Sequence, residues 1–345
     1  MWFIHPVHAD SVLMLSGRTA VLSGLFLLAA LLALEQARRW LAALLFVLAC
    51  LSRETALAGL LPLAVLAASR PGASFRFALR EIIPILLGGA LVLVWIITTP
   101  RYMHLTEYSF LGRPFWSSFA SQVAAVPVGL GLLFNPAALS IDYGIPLPTR
   151  ISDPLVLLGL GLYLSAFVGI FLFLKRSRAA AVGLALWLAA LLPTQSVVPK
   201  LDALTNRPLA LALAGLLLVV APLIGAAINR LGAAGAGKLS GMMPRAGRAG
   251  WQVAGICCTL ALILLLGGAT ARRAALFGSE FALWRDAAAK SQSNPRPHLK
   301  YAMLLKQQGR HREAWVEVLA AQAIDPFSSD VALFARVYKL NEVPR

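Results

Sequence analysis

Apolar residues come in blocks, at about 19–34, 41–52, 55–68, 82–99, 154–174, 180–197, 208–228 and 251–271, with short basic stretches between them. A straight membrane crossing takes roughly 20 apolar residues, and the last five blocks meet that length. Blocks 41–52 and 55–68 are short, so Arg53-Glu54 can instead interrupt one broken or tilted pair. Residues 118–139 are also apolar, but Pro127, Gly129, Gly131 and Pro136 make a poor straight helix there. That piece reads as re-entrant or lying along an interface. The pattern predicts an all-α polytopic membrane helix bundle of about eight spans over residues 1–271, followed by a separate helical module over 272–345.

Composition agrees with a membrane protein. Of 345 residues, 59% are hydrophobic and only 13% charged, and the mean hydropathy is +0.75; a soluble domain averages about a quarter charged residues. The net charge of +16 would suggest nucleic acid only if the bases formed a patch on a soluble face. Here they cluster between apolar blocks, as topology signals do. Arg38-Arg39; Arg70, Arg76 and Arg80; Lys175-Arg176-Arg178; and Arg230, Lys238, Arg245 and Arg248 all fall on one side if the eight blocks alternate. That side is expected to be cytoplasmic. The opposite, outer side then receives residues 1–18, Arg53-Glu54, 100–153, 198–207 and the tail. Cys50, Cys257 and Cys258 lie in apolar stretches without disulfide or metal-ligand spacing. The Gly/Ala-rich stretch 229–250 lacks the Lys-Ser/Thr register of a phosphate loop and reads as a flexible linker.

The tail carries a 34-residue frame counted from Pro295. Tyr301, Ala302, Leu305, Gly309, Ala314, Val318, Ala321 and Pro326 fall where a tetratricopeptide repeat needs small or aromatic residues. The frame predicts two closely packed antiparallel helices. Residues 279–294 and 328–340 supply a half-repeat on either side. One repeat and two halves fall short of the roughly three that stand alone, so the module leans on the membrane domain or on further sequence.

The densest chemistry is at the start. His5-Pro6-Val7-His8-Ala9-Asp10 runs on to Ser16-Gly17-Arg18, directly before an apolar block. Polar groups pressed against a membrane helix usually serve binding or catalysis; a solvated segment with Asp10 near a helix cap is the plain alternative.

This segment, with Leu51-Ser52-Arg53-Glu54-Thr55, then Pro136, Leu139, Asp142-Tyr143 and Ile145-Pro146, and finally Leu192-Pro193 with Arg207, resembles the motifs of the tetratricopeptide-repeat transmembrane O-mannosyltransferases and their bacterial relatives. The correspondence covers most of the chain in the same order. It implies a GT-C-type glycosyltransferase, mannosyltransferase-like, in a bacterial inner membrane with its module extracytoplasmic. Such an enzyme moves a sugar from a polyprenyl-phosphate donor to a hydroxyl acceptor, for example on a protein engaged by the repeat module, and takes no nucleic acid. The chemistry needs a carboxylate for the acceptor proton and cations for the carrier phosphate. The resemblance puts Asp10, with His5 and His8, in the catalytic role. It puts Arg18, Arg53, Glu54, Asp142, Arg150 and Arg207 on substrate or phosphate. Arg101 and Arg113 read instead as interfacial snorkelling residues. A divalent metal is unsupported, because no third ligand lies near the two histidines. Asn206 departs from the family, where an acid commonly precedes the arginine.

Met1–Arg18 has neither a charged leader region nor a cleavage site. In the resembled family a first membrane helix and an outer loop with an acidic pair come before the His-Pro-Val-His segment. The expectation is therefore a chain lacking them and nearly inactive by itself. A non-catalytic membrane-anchored scaffold that presents the repeat module to a protein partner is the alternative function. A transporter comes third, since neither repeated halves nor mid-membrane polar residues are visible.

Overall fold

The computed structural model describes residues 2–72, 74–100, 114–144, 148, 150–195, 204–239 and 246–339, as backbone alone at 226–254, 256 and 337–339. Within them the chain is helical, without a strand. The helices are α1 (Ala9–Leu13), α2 (Arg18–Glu35), α3 (Arg39–Ser52), α4 (Leu60–Ala68), α5 (Phe75–Thr98), α6 (Phe115–Phe134), α7 (Pro154–Phe173), α8 (Arg178–Leu191), α9 (Asn206–Leu239) and α10 (Ala246–Leu276). The tail adds α11 (Glu280–Lys290), α12 (Arg296–Gln307), α13 (His311–Ile324) and α14 (Ser329–Lys339).

Six helical stretches among the described residues are long and apolar enough to cross a membrane: Leu15–Glu35, Phe75–Thr98, Phe115–Phe134, Pro154–Phe173, Asn206–Gly225 and Cys257–Leu276. Large apolar side chains such as Leu87, Leu91, Phe171 and Leu264 cover their outer faces. In water that surface would be a severe liability; in hydrocarbon it is the required one. The protein is membrane-embedded. Beside the expectation of about eight spans, the described residues hold these six candidates and three shorter apolar helices, Arg39–Ser52, Glu54–Ala68 and Arg178–Leu191.

Blocks 41–52 and 55–68 are two short helices joined by a break, α3 packed on α2 and α5, and α4 on α8 and α5. Arg53 leaves helical space (φ −160°, ψ 124°) and a 3-10 turn, Glu54–Gly59, follows before α4. At 1.5 Å per residue α3 is about 21 Å long, less than the roughly 30 Å hydrocarbon core. α8 is equally short, because Pro193 has no N–H to extend its ladder.

α6 corrects one expectation. Pro127 does not break it; residues 115–134 are one helix. Ser121 donates to the Pro148 carbonyl (3.1 Å), Gly129 packs on Leu204 and Leu209, and the Leu133 carbonyl meets His5 (3.0 Å). The C-terminal half of α6 thus reaches the end of the bundle where α1 lies, and its N-terminal half packs on α7 through Ala120, Val123 and Ala124. The stretch 229–250 is a second correction. α9 continues to Leu239 and α10 starts at Ala246, since alanine is the strongest helix former and outweighs the interspersed glycines.

Two polar ends result. At the basic end α2 turns into α3 through a Schellman cap: Arg38 N–H donates to Ala33 O and Ala37 N–H to Leu34 O, both at 2.9 Å. Ala37 takes the left-handed position (φ 60°) normally left to glycine. Arg178 clasps Glu35 (2.6 Å) and Arg70 clasps Glu81 (3.3 Å). Three of the four basic clusters therefore gather here, as the alternation of blocks requires. The fourth lies outside the described side chains.

Close packing joins the two helices that connect the basic end to the opposite end, which carries Asp10. A Cβ on Gly183 would lie 2.5 Å from Gly215 O, and one on Gly215 equally close to Gly183 O. The backbones of α8 and α9 thus touch directly, as small residues permit in membranes. In the tail, Ala302, Ala314 and Ala321 are fully buried where α12 and α13 pack antiparallel across the Gly309 turn (φ 75°).

Candidate functional site

The N-terminal segment is a chain of tight turns anchored at several points. Trp2 Nε1 donates to Ala210 O (2.7 Å) and Thr270 to Ile4 O (2.5 Å). His5 Nδ1 accepts from Val7 N–H (3.1 Å), so its Nε2–H is the donor to Leu133 O. That is the neutral tautomer, consistent with burial lowering the His5 pKa. Burial and the neighbouring His5 lower His8 as well. Gly17 is required here: a Cβ would lie 2.6 Å from Ser11 O and 2.7 Å from Asp10 O. Its bare backbone lets α2 start directly against the Asp10 turn, which explains glycine between Ser16 and Arg18.

Asp10 is 6% exposed. Arg273, at the end of α10, donates to Oδ1 (3.2 Å), and the Asn206 amide, opening α9, donates to Oδ2. Asn206 also donates to Ser140 O (2.8 Å) and accepts from the Tyr143 hydroxyl. Burial raises the Asp10 pKa, while Arg273, Asn206 and, further off, Arg207 oppose the rise. Both carboxylate oxygens are occupied. Neither histidine is bonded to Asp10; Asn206 and Arg273 orient it instead.

Arg273 extends the network into the tail. It donates to Leu139 O (3.0 Å) and to Asp286 (3.1 Å), while Lys290 meets Asp286 and Leu139 O from the other side (2.8 and 2.9 Å). Asp142 is buried and held by Arg296 (2.5 Å) and Asn294 (2.9 Å). Gly144 O accepts from Gln292 N–H and Ser293 N–H (2.8 and 2.9 Å). The segment 139–144 is therefore the seat of the tail, and Asp142 is committed to that seat rather than to a free site.

Beside this network lies a cleft of about 50 Å³, lined among others by Ser23, Gly24, Arg53, Thr55, Thr194 and Arg207. A buried water needs roughly 10–15 Å³ on this measure, so the space suits a few waters or one small oxyanion. Arg207 is pinned by Ser16 (2.6 Å), and Arg53 lies close enough to feel its charge. The structure thus brings Asp10, Arg53 and Arg207 to one end of the bundle. Arg18, Glu54 and Arg150 are exposed. Ile145-Pro146, Arg101 and Arg113 lie outside the described residues.

Arg273, Asp286 and Lys290 did not stand out in the sequence. Arg273 follows an apolar block, where a cation is ordinarily an interfacial anchor; its burial against two acids is decided by the tail. Asn206 stood out only as a departure, yet it joins α1, α9 and the 140–143 segment. Among the described residues no group of His, Cys, Asp and Glu could hold a metal ion. No protein-family model, curated protein or solved structure matches the chain.

Proposed function

We propose that the protein is a GT-C-like membrane glycosyltransferase that takes a sugar on a polyprenyl-phosphate carrier and passes it to a hydroxyl acceptor. One observation carries this reading: Arg53 and Arg207, from segments far apart in sequence, line one cleft at the end of the bundle that holds the buried Asp10. Guanidinium groups in a partly dry cleft are suited to a phosphate and to the charge it gains as the sugar leaves. The carrier chain would lie along the apolar outer faces nearby. Asp10, with both oxygens bonded, holds α9 and its Arg207 in place; it accepts an acceptor proton only if Asn206 or Arg273 lets go. Transfer by this chain alone is therefore slow. The tetratricopeptide-type tail, seated on 139–144, presents the acceptor.

A second reading is a non-catalytic anchored scaffold for a protein partner. The occupied oxygens of Asp10 and the commitment of Asp142 to the tail favour it. Liposomes holding the protein and a radiolabelled polyprenyl-phosphate sugar separate the two. The transferase reading expects carrier binding that Arg53→Ala and Arg207→Ala each weaken about tenfold, the loss of roughly 1.4 kcal/mol of charge-assisted contact. Binding indifferent to both changes would leave the scaffold.

A further inference from the structure

We propose that the basic end of the bundle binds the headgroup of an anionic phospholipid, at a site separate from the cleft at the Asp10 end. Only two acids, Glu35 and Glu81, stand among its described residues, and each is already taken, by Arg178 and Arg70. Among the described residues, Arg38, Arg39, Arg76, Arg80, Lys175 and Arg176 make no ion pair with an acid. All are exposed except Arg39, which is half-buried.

The patch is organised as well as charged. The Arg39 guanidinium sits 6.0 Å from the Trp40 ring centroid and reaches the Arg80 carbonyl (3.5 Å), which ties the start of α3 to α5. No side chain caps the N-terminus of α3, so the backbone N–H donors of its first turn, at Arg39, Trp40 and Leu41, are left uncapped, while the Arg38 N–H is taken by Ala33 O. Trp40 and Phe75 are 69% and 81% exposed beside these cations. Aromatic rings of this kind lie at headgroup level when their helices cross a bilayer. A phosphodiester here meets guanidinium groups and free N–H donors while its acyl chains lie against exposed Leu41, Leu44 and Ile83. That joint fit selects a lipid over a soluble anion: the cations end where the hydrocarbon-facing surface begins. A basic pocket between membrane helices is a known form of headgroup site. Topology alone asks only for the charge, not for arginine beside an exposed tryptophan at an uncapped helix start.

The test uses the full chain in nanodiscs made from equal parts of phosphatidylcholine and phosphatidylglycerol. Brominated chains are placed on one lipid or the other, and Trp40 emission is taken as the difference from a Trp40→Phe protein. Brominated phosphatidylglycerol is expected to quench Trp40 far more than brominated phosphatidylcholine. Arg38→Gln/Arg76→Gln/Arg80→Gln is expected to weaken the preference at least tenfold, since each cation at an anionic surface is worth on the order of a fivefold change in binding. Lysine at the same three positions should keep most of it. If the glutamine protein does not insert, the wild-type measurement decides alone. Equal quenching by the two lipids overturns the proposal. Loss of the preference on adding inorganic phosphate, but not an equal ionic strength of chloride, also overturns it, because the patch would then be a soluble-anion site.

Discussion

Replacing Arg273 by methionine isolates the group on which the Asp10 network turns. The side chain is 4% exposed and bridges Asp10, Leu139 O and Asp286 at 3.0–3.2 Å. Methionine keeps the apolar reach and removes the charge. Asp286 is one-fifth exposed and keeps Lys290, so its loss is small. Asp10 is left in a dry site with only Asn206. Breaking a buried pair from one side costs roughly 3–5 kcal/mol, and that range is expected for Arg273→Met, read as unfolding by denaturant in detergent micelles. Burial already raises the Asp10 pKa, and the variant removes its strongest opposing cation. A raised folded pKa contributes stability in full below the unfolded value of about 3.9, which is lost as pH rises through the folded pKa. The deficit of the variant should therefore shrink toward pH 4 and widen at neutrality. Adding Asp10→Asn should recover part of the loss, with a coupling of about 1 kcal/mol or more. An Arg273→Met protein within about 1 kcal/mol of wild type, or two changes that merely add, would refute the claim that this pair is buried and coupled.

Four further outcomes are expected. Gly144→Ala places a Cβ 2.7 Å from Ser291 Cα and 2.8 Å from Gln292 N; losing the two bonds to Gly144 O costs roughly 2 kcal/mol of docking, seen as faster proteolysis at 277–279 with an intact bundle. Ala314→Arg forces a charge into a fully buried contact and should abolish protease resistance of residues 280–339, whereas unchanged resistance would show the helix packing to be wrong. The hydrogen bond from His298 to Glu317 (2.7 Å) raises the histidine pKa, outweighing its burial. Its contribution is complete below about pH 6.5 and is lost as pH rises through the folded value; hydrogen exchange in α12 should increase across that range in wild type and be flat in His298→Gln. Reporters fused after residues 78 and 240 should read one side of the membrane, and those after 145 and 300 the other; a shared side for 78 and 145 would mean that the two polar ends face the same way.

Much of the bundle was legible in the chain because a membrane helix declares itself locally. It needs only a long apolar run, and the alternation of basic clusters supplies the up-and-down order. The tail hairpin was legible for a similar reason: Ala302, Ala314 and Ala321 recur at helical spacing, and Gly309 falls at the turn. The ends of elements were not. Pro127 is absorbed within α6, and the Gly/Ala stretch is helical at both ends, because neighbouring segments and alanine propensity outweigh a single breaker. Pairing was the least legible of all. Nothing local marks Arg273 as the partner of Asp10, Asn206 as the joint of three segments, or Asp142 as the seat of the tail. Each is a side chain brought to its partner from far along the chain, and only folding chooses which buried acid meets which buried base, since an unpaired charge in such a place would be too costly to keep.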